Sequence, residues 1–379
     1  MKRRDFAPLV RRAWVAGAIA LVACIAGGII DHAAFFQAWL INWMFLLGIT
    51  LAALMNVMIH ELTGGEWGLV LRRPLEAAAL TLPLVALFAV PLAFGLADLF
   101  PWARADVVAR SDVLQAKRWY LNTPAFVIRN AAWLIVWSAL AWALRRHLDR
   151  AVDRDPAAGR RIAVAGLLVY LFTITLAAFD WIASLAPQWF STAVGIRLGA
   201  SQFVASFTFA VVFALSAGRT GRAEPPATPR DFQDLGNLLL TFTMTWAYFA
   251  FAEYLIIWGE DLPAETSWYW PRTQTNWRYL ALAIVVLNFA LPVVAMLFRK
   301  VKRSGAALAT VCAFVLLGQW LDTFWLIEPS LRPDGFALTW LDVAALVAQG
   351  GLWLALVALF VDRIPVPVLS RRKEAPAHG

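Results

Sequence analysis

Eight side chains in this sequence are placed to exchange or steer protons. Asp180, Glu253 and Asp322 are carboxylates inside long apolar runs, and Arg129 and Arg197 are guanidiniums inside two others. An ionisable side chain within lipid costs roughly 2.5–3.5 kcal/mol on insertion scales, which makes such residues functional candidates by default. In low dielectric a carboxylate holds its proton more readily, so its charge becomes switchable. Asp180 lies seven residues before Pro187, and Asp322 stands in the same relation to Pro329. Seven residues are roughly 10 Å of helix. Glu253, Arg197 and Arg129 fall at a similar depth, so five runs bring charge to one level. The chemistry expected there is proton exchange. The bland alternative is structural ion pairing between helices, Asp180 with Arg197 for example.

The other three candidates lie toward the opposite end. His60-Glu-Leu-Thr-Gly-Gly-Glu-Trp-Gly-Leu-Val-Leu-Arg-Arg-Pro-Leu-Glu76 joins two apolar runs. His60 titrates near neutrality and could relay protons. Asn56, one turn earlier, adds a polar step along the same face. Pro74 suits the first turn of the helix that follows, and Glu76 would complement that helix's N-terminus. Two groups separated by an apolar middle suggest two half-channels.

Other chemistry is excluded by residue supply. The only cysteines, Cys24 and Cys312, both sit in apolar runs, too few for a Cys₄ iron–sulfur or zinc site. Of the four histidines, His147 and His378 lie in polar segments. His32 and His60 are 28 residues apart, roughly 42 Å along one helix. A bis-histidine haem is therefore not expected, nor any metal or catalytic side chain of the chain's own.

These residues need long helices to carry them. The 379 residues are 61% hydrophobic and 15% charged, with a mean hydropathy of +0.65, far more apolar than a soluble domain. The apolar runs predict an all-α integral membrane protein with about ten spans: 13–30, 36–58, 75–97, 124–145, 162–185, 192–217, 235–258, 277–298, 304–327 and 337–361. The ten-residue alternation of a β-barrel is missing. The first span follows Met1-Lys-Arg-Arg but is long for a signal peptide. Of 33 Lys and Arg, 24 fall in segments on one side, which predicts that both termini are cytoplasmic. The net charge of +8 then needs no nucleic-acid partner. Tryptophans 102, 119, 189, 258, 268, 270 and 277 fall near span ends, as an interfacial belt would.

The domain expected is one ten-helix unit over residues 1–364, with a disordered cytoplasmic tail over 365–379. Ala223-Glu-Pro-Pro-Ala-Thr-Pro reads as an extended linker. Asp180-Trp-Ile-Ala-Ser-Leu-Ala-Pro187 and Asp322-Thr-Phe-Trp-Leu-Ile-Glu-Pro329 echo each other four spans apart. The echo suggests two parallel four-helix bundles, spans 2–5 and 6–9, flanked by spans 1 and 10.

Three motifs carry a family resemblance. The loop from His60 through Arg72-Arg-Pro-Leu-Glu-Ala-Ala resembles the ActF subunit of bacterial alternative complex III. So do Phe179-Asp-Trp-Ile-Ala-Ser-Leu-Ala-Pro-Gln-Trp-Phe-Ser-Thr192 and Trp246-Ala-Tyr-Phe-Ala-Phe-Ala-Glu-Tyr-Leu-Ile-Ile-Trp258. The resemblance covers spans 2 to 9. ActF is similar to the NrfD-like membrane subunits, which include that of polysulfide reductase. It implies a cofactor-free subunit of a quinol:cytochrome c, or quinol:oxidase, complex in the bacterial inner membrane, with quinol or menaquinol as substrate. The implied partners are a paralogous NrfD-like subunit, an iron–sulfur protein, c-type haem subunits, small membrane subunits, a terminal oxidase and lipids. Asp180, His60 and Glu76 match the family motifs, whereas Glu253 departs from them, since relatives tend to carry an amide there. In such complexes the paralogue looks like the main quinol binder, which would leave this chain to help conduct protons or to scaffold; the polar groups near Asp180 and Asp322 are then candidates for conducting protons or facing quinol.

Two other readings stand beside this one. A free-standing secondary transporter fits ten helices with buried carboxylates. Against it, no pair of broken helices marks a midplane site: Pro83 and Pro91 break span 3 and Pro292 sits in span 8, which are not equivalent positions of the two units. A structural anchor would use every polar group for assembly.

Overall fold

The structure, a computed structural model, describes residues 6–149, 155–219 and 227–364. The expectations for Met1 to Arg4, for 223–226 of the linker, for the tail from 365 and for His378 lie outside those residues. Among the described residues the chain is helical and has no strand.

The helices are α1 (Ala7–Ile30), α2 (His32–Thr63), α3 (Glu66–Ala79), α4 (Leu82–Phe88), α5 (Thr123–Leu148), α6 (Pro156–Trp181) and α7 (Val194–Arg219). After them come α8 (Pro229–Glu260), α9 (Pro263–Gln274), α10 (Trp277–Val285), α11 (Leu291–Leu297), α12 (Gly305–Ile327) and α13 (Trp340–Arg363). A π-turn, Val286–Ala290, joins α10 to α11. Nine helices among the described residues are long and apolar enough to cross a membrane, and the pair Glu66–Ala79 and Leu82–Phe94, bent by 40°, brings the number to ten where it is counted as one span. The chain is thus an all-α multi-pass membrane protein.

Local chemistry places the ends. Asp31 alone turns α1 into α2, its side chain accepting from the Ala34 amide at 3.0 Å. Gly64 and Gly65, at φ 68° and 100°, turn α2 into α3, a conformation that suits residues without Cβ. Asn122 caps α5, and Thr228 and Thr339 each form a capping box, with Asp231 and Asp342. Span 3 corrects the expectation. Its helix begins at Glu66, so Pro74 and Glu76 lie well inside α3 and Glu66 is the acid of the first turn.

The packing groups α2, α3–α4, α5 and α6 on one side, and α7, α8, α10–α11 and α12 on the other. α2 and α7 meet at the centre, and α1 and α13 pair beside α2. α2 is apolar all round, and its most apolar stretch is entirely buried. Its polar groups are met by distant helices. Asn42 donates to the Asp342 carbonyl at 3.0 Å and accepts from the Trp320 indole at 2.8 Å. Thr50 accepts from Trp353, and the Trp39 carbonyl accepts from Gln349. Small residues seat α1 on α13: a Cβ at Gly17 would stand 2.8 Å from the Leu352 nitrogen.

The tryptophan belt holds only in part. Trp119, Trp258 and Trp270 are exposed, but Trp102, Trp189, Trp268 and Trp277 are buried. Trp189 and Trp268 stack on each other, and Trp277 donates to the Arg332 carbonyl, so packing within the protein has claimed them.

Candidate functional site

Both helices of the sequence echo end alike. α6 runs into a 3₁₀ turn at Ala183–Leu185 and α12 into one at Glu328–Ser330. The end of the bundle that carries them is the Asp180 end; the other is the His60 end.

In the first helix group, the Asn122 cap and Pro124 start α5 so that Arg129 faces α6. Arg129 Nη2 and Nε donate to the two oxygens of Asp180 at 2.7 and 3.1 Å. Its Nη1 donates to the Tyr120 carbonyl, and the guanidinium lies 3.8 Å from the Tyr120 ring centroid. Asp180 is fully buried. Two parallel charge-assisted bonds make a tight, neutral pair. Burial, and then the Asp180 carboxylate, push the Tyr120 phenol up to about 12.

The second group holds a larger network. Arg197 Nη1 donates to Glu253 at 3.1 Å, and Nη2 makes a looser contact with Asp322 at 3.5 Å. Ser191 donates to the other Glu253 oxygen at 2.6 Å. Ser201, one turn from Arg197 on α7, donates to Asp322 at 2.8 Å. The Trp246 indole reaches both Ser201 and Asp322, at 3.0 and 3.2 Å. Arg272 of α9 is buried beside this network. It lies 3.4 Å from the Trp268 ring centroid and donates to the carbonyls of Trp268, Trp325 and Leu326. Two arginines and two carboxylates thus balance in charge.

The geometry corrects one expectation: Asp180 does not pair with Arg197. Each carboxylate is met by an arginine of its own helix group, because Arg197 on α7 faces α8 and α12 while Asp180 on α6 faces α5. The echo aligns the two aspartates but not their cations.

A cavity of about 750 Å³ lies against the second network, bounded by α8, α9, α10–α11 and α12. Arg197, Asp322, Trp246, Tyr269 and Arg272 form its polar part; Met244, Phe251 and Phe289 belong to its apolar part. Met244 and Phe251 are exposed, so the cavity opens on the side of the bundle. A pocket of this size, apolar with a few convergent polar groups, is the usual form of a small-molecule site.

At the His60 end Glu76 is buried and accepts from Arg72 at 2.5 Å and from Arg145 at 2.7 Å. Arg145 also pairs with Asp149 at 2.5 Å. The step from Asn56 to His60 along one face is not kept. Asn56 turns inward and meets Ser206 of α7 at 3.5 Å. His60 turns to the loop, donating to the Gly65 carbonyl at 3.0 Å and packing edge-on against Trp67.

No family model matches the sequence, and no curated protein matches it. The eight expected residues therefore fall into Arg129–Asp180, Arg197–Glu253–Asp322, Glu76 with its arginines, Asn56 on α7, and His60 in its turn. Sequence reading missed Ser191, Ser201, Trp246, Arg145 and Arg272. Ser201 could have been found from its one-turn spacing to Arg197. Arg145 and Arg272 look like ordinary loop-side charges, and no local pattern marks them.

Proposed function

We propose that this chain is the cofactor-free membrane subunit of a quinol-oxidising complex of the alternative complex III kind. The supporting sequence feature is the set of ActF-like motifs, which supplies Asp180, Glu76 and His60. The observation that carries the reading is the side-opening cavity ending on Asp322 and Arg197. A quinol has an apolar tail that stays in lipid and a ring with two hydroxyls. Ring and tail suit the aromatic walls, and a hydroxyl at the inner end meets a carboxylate that already accepts from Ser201 and Trp246. Asp322 is then the proton acceptor, with Arg197 holding it in place. Asp180–Arg129 and Glu76 with its arginines are ionisable clusters at opposite ends, in keeping with two half-channels. Iron–sulfur and c-type haem groups of partner subunits would supply the electron acceptors that this chain lacks. In this reading both termini are cytoplasmic, in a bacterial inner membrane, and the Asp180 end faces outward.

A tagged chain purified from its native membranes in mild detergent tests this. The c-type haem and iron–sulfur absorbance should co-purify; a lone chain would favour a transporter and sink the proposal. In the complex reconstituted into sealed vesicles, Asp322→Asn should lower the proton release per electron that appears at the Asp180 face while quinol still reduces haem. Unchanged release would remove Asp322 from the route.

A further inference from the structure

Gln319 lies one turn before Asp322 on α12 and is 2% exposed. Neither its amide nitrogen nor its amide oxygen has a hydrogen-bond partner among the described residues. An orphaned buried amide is rare, and the usual partner of such a group is a bound water. Gln319 lines a cavity of about 20 Å³ between α2, α7 and α12. A space above roughly 10–15 Å³ admits one water when two or more polar groups surround it. Ser201 and Gln202 supply those groups from α7. Gly48 of α2 keeps the space open on the third side, since a Cβ there would stand 3.0 Å from Gln202 Cγ.

The cavity also stands at a junction. Ser201 leads to Asp322 at 2.8 Å. The Gln202 side-chain oxygen accepts from the Tyr170 hydroxyl of α6 at 3.0 Å. One turn further along α7, Ser206 meets Asn56, whose side-chain oxygen is buried and unpartnered among the described residues. From Arg197 to Ser206 this polar seam covers roughly 13 Å of helix. It starts inside the second helix group at Arg197 and Ser201 and crosses to the first at Tyr170 and Asn56.

We propose that this cavity is a water site held by Gln319, Gln202 and Ser201. Its water extends the proton route of Asp322 along the α2–α7 contact toward Asn56. Moving away from Asp322, its O–H breaks as the Ser201 oxygen takes that proton, Ser201 passes its own proton to the water, and the water holds it as hydronium against the unpartnered Gln319 oxygen, leaving Asp322 as the carboxylate. No electron moves and no bond to carbon changes. The glutamines orient the water and take no proton. The relay rests on the proton-conducting reading above; the water site itself does not.

Pulsed X-ray hydroxyl-radical labelling in ¹⁸O-water, on the intact chain in its membrane complex, tests the site. Radicals form where water is bound. Met44 lines the cavity, whereas Met55 on the same helix is fully buried away from it. Met44 should gain ¹⁸O sulfoxide several-fold above Met55, and Gln319→Leu should bring it down to the Met55 level. Gln202→Leu serves the same purpose if the first variant does not accumulate. Met44 labelled no more than Met55 in the unaltered chain overturns the site. Site labelling lost in Gln319→Leu with unchanged proton release per electron overturns the relay alone. Co-purification of haem decides the quinol reading separately.

Discussion

At the scale of single residues, Arg197 governs the second cluster, because its guanidinium lies buried between two buried carboxylates. Arg197→Met removes the one guanidinium in contact with both carboxylates and leaves only Arg272 nearby. Removing one partner of a buried pair costs about 3–5 kcal/mol, so this variant should melt well below the unaltered chain. Adding Glu253→Gln and Asp322→Asn should recover part of that loss. A single variant that melts normally would refute the network. Tyr120 gives a pH signature. Its phenol is held neutral by burial, raised to about 12 from an ordinary value near 10. The stabilisation is complete below pH 10 and is lost as pH rises through 12. Unfolding midpoints should fall across that window, and Tyr120→Phe should flatten the slope. Asp180 and Asp322 were legible in the sequence because charge is rare in apolar runs. Their partners were less so: Arg272 sits in a connection where arginine is commonplace, and only the fold carries α9 in beside Arg197.

At the scale of helices, close approach of small residues joins α1 to α13. A Cβ at Gly17 would meet the Leu352 backbone nitrogen, and one at Gly351 would stand 2.7 Å from the Ala13 carbonyl oxygen. Backbone cannot step aside as a side chain can. Gly17→Leu should therefore cost at least roughly 1–3 kcal/mol, the range of overpacking, seen as a lower melting temperature of the purified protein. An unchanged melt would mean that the two helices do not pack this closely. Span positions were legible from apolar length, with α3 the exception. Its first turns carry Glu66, Arg72 and Arg73, and Gly68 lies among them, so hydropathy placed the start at residue 75 whereas the helix begins at Glu66. The buried tryptophans were misread for a related reason: position along a span gives depth in the membrane but not which face of the helix turns inward.

At the scale of the whole molecule, the charge distribution predicts which end faces the cytoplasm. Cys24 and Cys312 are buried and do not compete for a thiol reagent. In right-side-out vesicles, Asp106→Cys should react with an impermeant maleimide and Lys300→Cys should not. The reverse pattern would invert the topology and place the Asp180 end inside. The two four-helix groups were legible only as a faint echo, since Asp-x₆-Pro fixes no contacts. The central contact of α2 with α7 joins the groups and was not legible at all.

The central place of α2 has a consequence for biogenesis. Asn42 finds its acceptor on Asp342, 300 residues later. At roughly 5–20 residues per second, translation delivers α13 about 15–60 s after α2. For that interval Asn42 has only the Ala38 carbonyl of its own helix and Thr50 lacks Trp353, so α2 is a nascent segment without its distant partners, one that an insertase must shelter. Chains released before Trp340 should never mature, and membrane proteases that survey unassembled helices should clear them.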